Sequence, residues 1–307
     1  MSAKHEHGFA TSDSVGDADS NDLRRRDFVA LSVATGVAAT ALPAAAIPAG
    51  AAVVEKNVTI NTPDGTCNAA YFHPAEGKHP AVILWTDAFG LRPSMRDMGR
   101  RLAADGYAVL VPNPFYRKGP GPFYETAANV DFKDKATFDK IGPLMGSIGA
   151  AGAAEKDAVE FVKFLDAQPE VDKGRKIGTQ GYCMGGALVL RTAATVPERI
   201  GAGASFHGGG LVTDKPDSPY LLAPKIKAQL LIAIAGSDDA KQPDAKDKLR
   251  KAFDDAHVPA KVEVFAEQHG WCVPDMPQGE GGKPIYNQAD AERAWKELLA
   301  LYKTALG

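Results

Sequence analysis

Residues 176–190 read KIGTQGYCMGGALVL, an apolar run that turns at glycines into a second apolar run. The pattern predicts a buried strand over Lys176–Tyr182 and a helix over Met184–Ala194, with Cys183 at the turn between them. Glycines stand two residues before Cys183 and two residues after it, which is the G-x-nucleophile-x-G spacing of a nucleophile elbow with Cys in place of Ser. Such a turn lifts the side chain above the sheet, and the following helix N-terminus favours a thiolate. The alternative is an inert buried Cys in a glycine-rich turn.

Strands and helices alternate on both sides of this turn. Helices are predicted to begin at Ser94 and to cover Ala154–Gln168 and residues 243–256 and 287–305, and residues 114–150 are expected to be irregular with one short helix. The other predicted strands are Val54–Ile60, Thr66–His73, Ala81–Trp85, Tyr107–Val111, Gly203–His207, Gln229–Ala235 and Lys261–Ala266. This alternation predicts an α/β fold with a mostly parallel central sheet and helices on both faces.

Composition excludes several classes of protein. The 307 residues are 45% hydrophobic and 24% charged, with a formal net charge of −3, so no basic excess favours nucleic acid as a partner. Three cysteines are too few for a disulfide scaffold and wrongly spaced for a zinc site. Neither a metal-binding H-E-x-x-H nor a G-x-G-x-x-G after the first parallel strand is present, so we expect no metal and no organic cofactor.

The first fifty residues differ from the rest. A polar segment is followed by Arg24-Arg25-Arg26, an Ala-rich apolar run over Val29–Leu42, and small residues that offer a cleavage site. This order is typical of an export signal, and the paired arginines resemble a twin-arginine signal. We therefore expect residues 1–51 to be a leader, residues 52–307 to be a single α/β domain without a membrane span, and the protein to be exported to the periplasm or secreted. The alternative is a disordered tail with a chance arginine cluster.

A thiol nucleophile needs a base, and two histidines follow predicted strands beyond Cys183. His269 comes last in the chain, so the order nucleophile, acid, base holds if an Asp lies between. Asp238 and Asp239 both follow a strand in that interval, and the elbow argument does not choose between them. His207 is interpreted as a residue that lines the pocket.

These features together resemble the dienelactone hydrolase family of α/β-hydrolases, whose triad is Cys-Asp-His. The resemblance covers nearly the whole chain after the leader. It is carried by Gly-Tyr-Cys-Met-Gly-Gly at 181–186, Gly-Ser-Asp-Asp at 236–239, His-Gly-Trp at 269–271, and the segments Trp85–Leu91 and Val111–Arg117.

The resemblance implies roles for individual residues. Cys183 is the nucleophile, His269 the base and Asp239 the acid, since its spacing from Gly236 matches the family best. The oxyanion hole is formed by the backbone N–H groups of Ala88 and Met184. The implied substrate is a small ester or lactone, cleaved through an acyl-enzyme, and no cofactor is implied.

Two departures from the family pattern concern the pocket. Asp87 stands where the family carries a Glu that is thought to pair with the resting thiol. Val273 stands where a substrate-binding Arg is expected, which predicts an apolar wall and a preference for neutral esters. Five side chains are predicted to line the pocket: Asp87, Tyr116, Arg117, His207 and Trp271.

Two other functions remain open at this stage. Cys183 and Cys272 could form a redox pair, although no Cys-x-x-Cys is present. A non-catalytic ligand-binding protein on the same fold is the other alternative, and a complete triad argues against it.

Overall fold

A computed structural model describes residues 52–306, so the predicted leader, residues 1–51, lies outside the described residues. Eight strands form one sheet in the order β1-β2-β4-β3-β5-β6-β7-β8. They are β1 (Val53–Thr62), β2 (Gly65–Pro74), β3 (Ala81–Trp85), β4 (Ala108–Pro112), β5 (Ile177–Tyr182), β6 (Ile200–Phe206), β7 (Gln229–Ala235) and β8 (Ala260–Phe265). β2 pairs antiparallel with β1 and β4, whereas β3 to β8 pair in parallel. The sheet is mostly parallel, as the alternation predicted, and it is α/β-hydrolase-like, as the family resemblance implied.

Helices cover both faces of this sheet. They are α1 (Pro93–Ala104), α2 (Lys135–Gly149), α3 (Ala153–Ala167), α4 (Met184–Thr195), α5 (Gly236–Lys241), α6 (Ala245–Asp255) and α7 (Gln288–Ala305). Apolar side chains of α1 and α7, such as Met98 and Leu298, pack into one core cluster. Side chains of α3, α4 and α6, such as Phe161, Leu188 and Phe253, pack into a second cluster on the other face. Both faces of the central strands are therefore buried, which is why those strands read as continuous apolar runs.

The helix α2 is longer than the sequence predicted. Its fifteen residues contain glycines and Pro143, which disfavour helix. Asp134 caps its first turn by accepting the N–H of Ala136, and Ile141, Leu144 and Ile148 are buried. Burial of this apolar face of α2 outweighs the poor helix propensity of its residues, because most helical stability in proteins comes from packing.

The candidate site residues gather at one edge of the sheet. The parallel strands β5 to β8 all end at this edge, and they are followed by Cys183, His207, Asp238 and His269. In an open α/β sheet the carboxyl ends of the strands are where ligands bind.

Among residues 52–306, no helix is long and apolar enough to cross a membrane.

Candidate active site

Cys183 occupies a strained backbone position between β5 and α4. Its φ of 52° and ψ of −117° lie outside the regions that L-residues ordinarily adopt. The Cys183 N–H donates to the carbonyl of Phe206 and to Nδ1 of His207, at 3.1 Å each. Strain of this kind costs about 1–3 kcal/mol and persists where the surrounding structure enforces it.

The glycines around Cys183 allow the backbones to approach closely. A Cβ on Gly181 would lie 2.2 Å from the Gly185 carbonyl oxygen, and a Cβ on Gly185 would lie 2.6 Å from the Thr86 carbonyl oxygen. A Cβ on Gly186 would lie 2.4 Å from Oγ of Ser205. Side chains at these three positions would push α4 away from β3 and β6.

His269 is held by Asp238. Nδ1 of His269 lies 2.6 Å from Oδ2 of Asp238, and the His269 N–H donates to Oγ of Ser237 at 2.9 Å. Burial lowers the pKa of His269, but the negative charge of Cys183 and the hydrogen bond to Asp238 outweigh it and raise the pKa to about 10. Cys183 and Asp238 therefore both favour the protonated imidazole of His269.

The structure corrects the choice of Asp239 as the acid. Both carboxylate oxygens of Asp239 accept from Nζ of Lys246, at 2.7 and 2.9 Å. The two aspartates lie in α5, which begins at Gly236. Consecutive helical residues point about 100° apart, so only one of them can face His269, and Asp238 is the one that does.

His207 lies beneath the site and does not line an open pocket. It is 1% exposed, and its ring centroid lies 4.8 Å from that of His269 and 5.2 Å from that of Trp271. Burial, followed by the charge of His269, holds its pKa well below the usual range. A neutral ring that accepts the Cys183 N–H at Nδ1 carries its proton on Nε2. His207 thus supports the backbone of Cys183.

The backbone N–H groups of Ala88 and Met184 are the two that were expected to form an oxyanion site. Ala88 follows β3, and Met184 is the first residue of α4, where helical N–H groups have no intrahelical acceptor. Within residues 52–306, neither N–H donates to a loop or side-chain acceptor. The contact of Gly185 with Thr86 brings the two segments together. This arrangement is compatible with two donors that face one carbonyl oxygen.

Asp87 belongs to a buried ion triad and does not line the pocket. Arg92 donates to both oxygens of Asp87, at 2.7 and 2.9 Å, and to both oxygens of Asp275, at 2.7 and 2.8 Å. Asp275 also accepts the N–H of Ala127 at 3.0 Å. The triad ties the loop after β3 to the start of α1 and to the loop after His269. Sequence reasoning missed Arg92 and Asp275, because nothing in their spacing indicates a shared partner.

Tyr116 and Arg117 follow β4 in the chain and contact the turn between β1 and β2. Arg117 donates to both oxygens of buried Asp157, at 2.7 and 2.9 Å, and to Asp64 at 2.9 Å. The Tyr116 hydroxyl also donates to Asp157, at 2.8 Å. Both side chains are bound to structural partners, and neither lines the cavity that opens at Cys183.

The segment after His269 packs into the core. Trp271 is stacked on Phe265 with ring centroids 4.9 Å apart, and Val273 is fully buried, so neither forms a wall of an open pocket. Cys272 and Cys183 are both free thiols. Cys272 belongs to the core cluster on the α1 and α7 face, whereas Cys183 packs against the cluster on the other face. This placement gives no support to a redox pair.

A cavity of about 470 Å³ opens at Cys183. Its walls are the end of α2, the start of α3, the exposed side of α4 and the segment 209–219. None of the five side chains predicted for the pocket lies on this cavity. Sequence reasoning missed it because α2, which forms one wall, was expected to be mostly irregular.

Comparisons with known proteins find relatives and similar folds over most of the chain. A protein of Methylorubrum extorquens named "Putative carboxymethylenebutenolidase" is 28% identical over 90% of this chain and 91% of its own length. A solved dienelactone hydrolase-like promiscuous phosphotriesterase from metagenomic libraries superposes with a TM-score of 0.66 at 24% identity, covering 83% of this chain and 100% of that one. A dienelactone hydrolase from Anabaena variabilis superposes with a TM-score of 0.55 at 16% identity, covering 83% and 99%.

The chain has an α/β-hydrolase-like fold. The sequence model of the dienelactone hydrolase family matches residues 67–306. The chain belongs to that family and is a dienelactone hydrolase-like enzyme.

Replacing Arg117 by Ala tests the structural role of its ion pairs. The change leaves the Asp157 carboxylate buried without its cation, which we expect to lower the free energy of unfolding by about 3–5 kcal/mol. Urea unfolding followed by circular dichroism measures the loss. The control is Lys156→Ala, because Lys156 pairs with Asp64 at the surface and such pairs contribute about 0–1 kcal/mol. Equal effects of the two changes would contradict the assignment.

Proposed function

We propose that this enzyme hydrolyses a carboxylic ester or lactone with Cys183 as nucleophile, His269 as base and Asp238 as the acid that orients it. The observation that carries the proposal is the 2.6 Å contact between His269 and Asp238, beside a Cys on a strained elbow. Nucleophile, orienting acid and base follow each other in chain order at positions 183, 238 and 269, as in α/β-hydrolases.

The first half of the reaction acylates Cys183. The thiolate attacks the carbonyl carbon and forms the C–S bond, while the carbonyl oxygen becomes an oxyanion that accepts from the N–H groups of Ala88 and Met184. Removal of one such donor in other enzymes costs about 3–4 kcal/mol of transition-state stabilisation. When the C–O bond breaks, the leaving oxygen takes the proton from His269.

The second half releases the acyl group. His269, now neutral, accepts a proton from water, and the resulting hydroxide attacks the thioester carbonyl. The C–S bond breaks, the acid leaves, and the thiolate forms again beside protonated His269. Asp238 holds Nδ1 in both halves, so that Nε2 serves as the site of proton transfer.

Replacing Cys183 by Ala should abolish hydrolysis of p-nitrophenyl acetate, because the nucleophile is lost. Ala removes little volume, so the melting temperature should remain close to that of the parent protein. Release of p-nitrophenolate measures activity, and circular dichroism measures folding. A folded Cys183→Ala protein that retains activity would remove Cys183 from the mechanism.

Asparagine substitutions at the two neighbouring aspartates provide a matched pair of variants that tests which carboxylate orients His269. Asp238→Asn should lower kcat by up to about 10⁴-fold, the loss measured for the corresponding change in a serine protease triad. Asp239→Asn should change kcat little, because Asp239 contacts Lys246. Steady-state kinetics on one ester gives both values. The opposite ranking would assign the acid role to Asp239.

We further propose that the protein is exported through a route that accepts folded proteins. The proposal is supported by Arg25 and Arg26 before the apolar run of the leader. Changing both to Lys should leave the precursor in the cytoplasm, since such signals require the arginine pair, whereas Arg24→Lys serves as the control. Immunoblots of cytoplasmic and exported fractions report the outcome. Unchanged export of the double variant would defeat the proposal.

A further inference from the structure

We propose that the cavity at Cys183 binds the acyl chain of the substrate, and that the enzyme prefers neutral esters of straight-chain acids of medium length. This inference rests on the proposed function and adds the substrate class. We call the cavity the acyl groove. Its apolar lining consists of Met145, Ile148, Ala154, Met184, Ala187 and Leu188.

The acyl groove begins at the nucleophile and runs along α4. Cys183, Ala187 and Arg191 all line it, and they are spaced four residues apart, so they lie one above the other on one face of the helix. Eight residues at 1.5 Å per residue give a length of about 12 Å. The groove therefore has the length along α4 that an extended alkyl chain requires.

The groove lies on the acyl side of the scissile bond. His269 must give a proton to the leaving oxygen, so the leaving group lies on the side of His269 and Asp238. Neither of these residues lines the groove, whereas Cys183 and Met184 do. A substrate bound to Cys183 with its oxygen at Met184 can therefore place only its acyl part there.

The far end of the groove is charged, and its guanidinium, that of Arg191, is already paired. Arg191 donates to Glu155 at 2.9 Å and to the Asp217 carbonyl at 3.0 Å. Lys215 also lines this end. Because Arg191 has its own acceptors, it does not require an anionic group of the substrate as a partner, and the lining next to Cys183 is apolar. A chain longer than the groove would meet these charged groups, so the preference should pass through a maximum.

The chain-length profile tests this inference. We expect kcat/KM for p-nitrophenyl octanoate to exceed that for the acetate by at least about tenfold, since each buried methylene contributes up to about fourfold. The palmitate should fall below the octanoate. Equal values for acetate and octanoate would overturn the acyl groove while leaving ester hydrolysis intact.

Two substitutions on α2 distinguish a loss of chain binding in the groove from a general effect of a new charge on this helix. Met145 lines the groove and is 37% exposed, and Phe138 is 56% exposed and lies outside it. Met145→Asp should lower the octanoate-to-acetate ratio of kcat/KM by about tenfold, because it places a charge in the path of the chain. Phe138→Asp should leave the ratio unchanged. A change of the same size in both variants would count against the groove.

A binding measurement tests the acyl groove independently of ester hydrolysis. Titration calorimetry with sodium octanoate on the Cys183→Ala protein should show binding that Met145→Asp weakens, and sodium acetate should show none. If the octanoate binds but no ester is hydrolysed, the proposed function fails and the groove remains. If esters are hydrolysed but octanoate does not bind, the groove fails alone.

Discussion

The backbone of Cys183 is the constraint on which the rest of the site depends. A side chain held at φ 52° projects out of the turn between β5 and α4, and this conformation requires support from its neighbours. The carbonyl of Phe206 and the ring of His207 accept the same N–H, so β6 provides that support. The glycines on both sides remove the side chains that would keep the two elements apart.

The buried triad of Asp87, Arg92 and Asp275 holds a second part of the site in place. One guanidinium binds two carboxylates through four hydrogen bonds and satisfies groups from three segments of the chain. A buried ion triad contributes little net stability, and the loss of one member is costly. Its effect is to fix the loop that carries Ala88 relative to the loop that follows His269. Since Asp87 is bound in this way, it is unavailable to pair with the thiol of Cys183.

The two sides of the nucleophile have different chemistry. On one side lie the paired residues Asp238 and His269, which in the proposed reaction supply the proton to the leaving group. On the other side, the acyl groove is apolar near Cys183 and charged only at its far end. The buried ring of His207 lies below His269 and is kept neutral. A neutral ring there avoids a second positive charge next to the protonated imidazole of His269.

Local patterns in the sequence determined the strands, most of the helices, the elbow at Cys183 and the position of His269 at a strand end. These features depend on hydrophobic period, glycine spacing and chain order, all of which are visible in one dimension. The tertiary structure decided between Asp238 and Asp239, because the choice depends on where α5 begins and which way each side chain then points. It also decided that Tyr116, Arg117, His207 and Trp271 are held by partners far away in the chain. The groove could not be predicted from the sequence either, because one of its walls is α2. The residues of α2 have poor helix propensity, and the helix forms because its apolar face is buried.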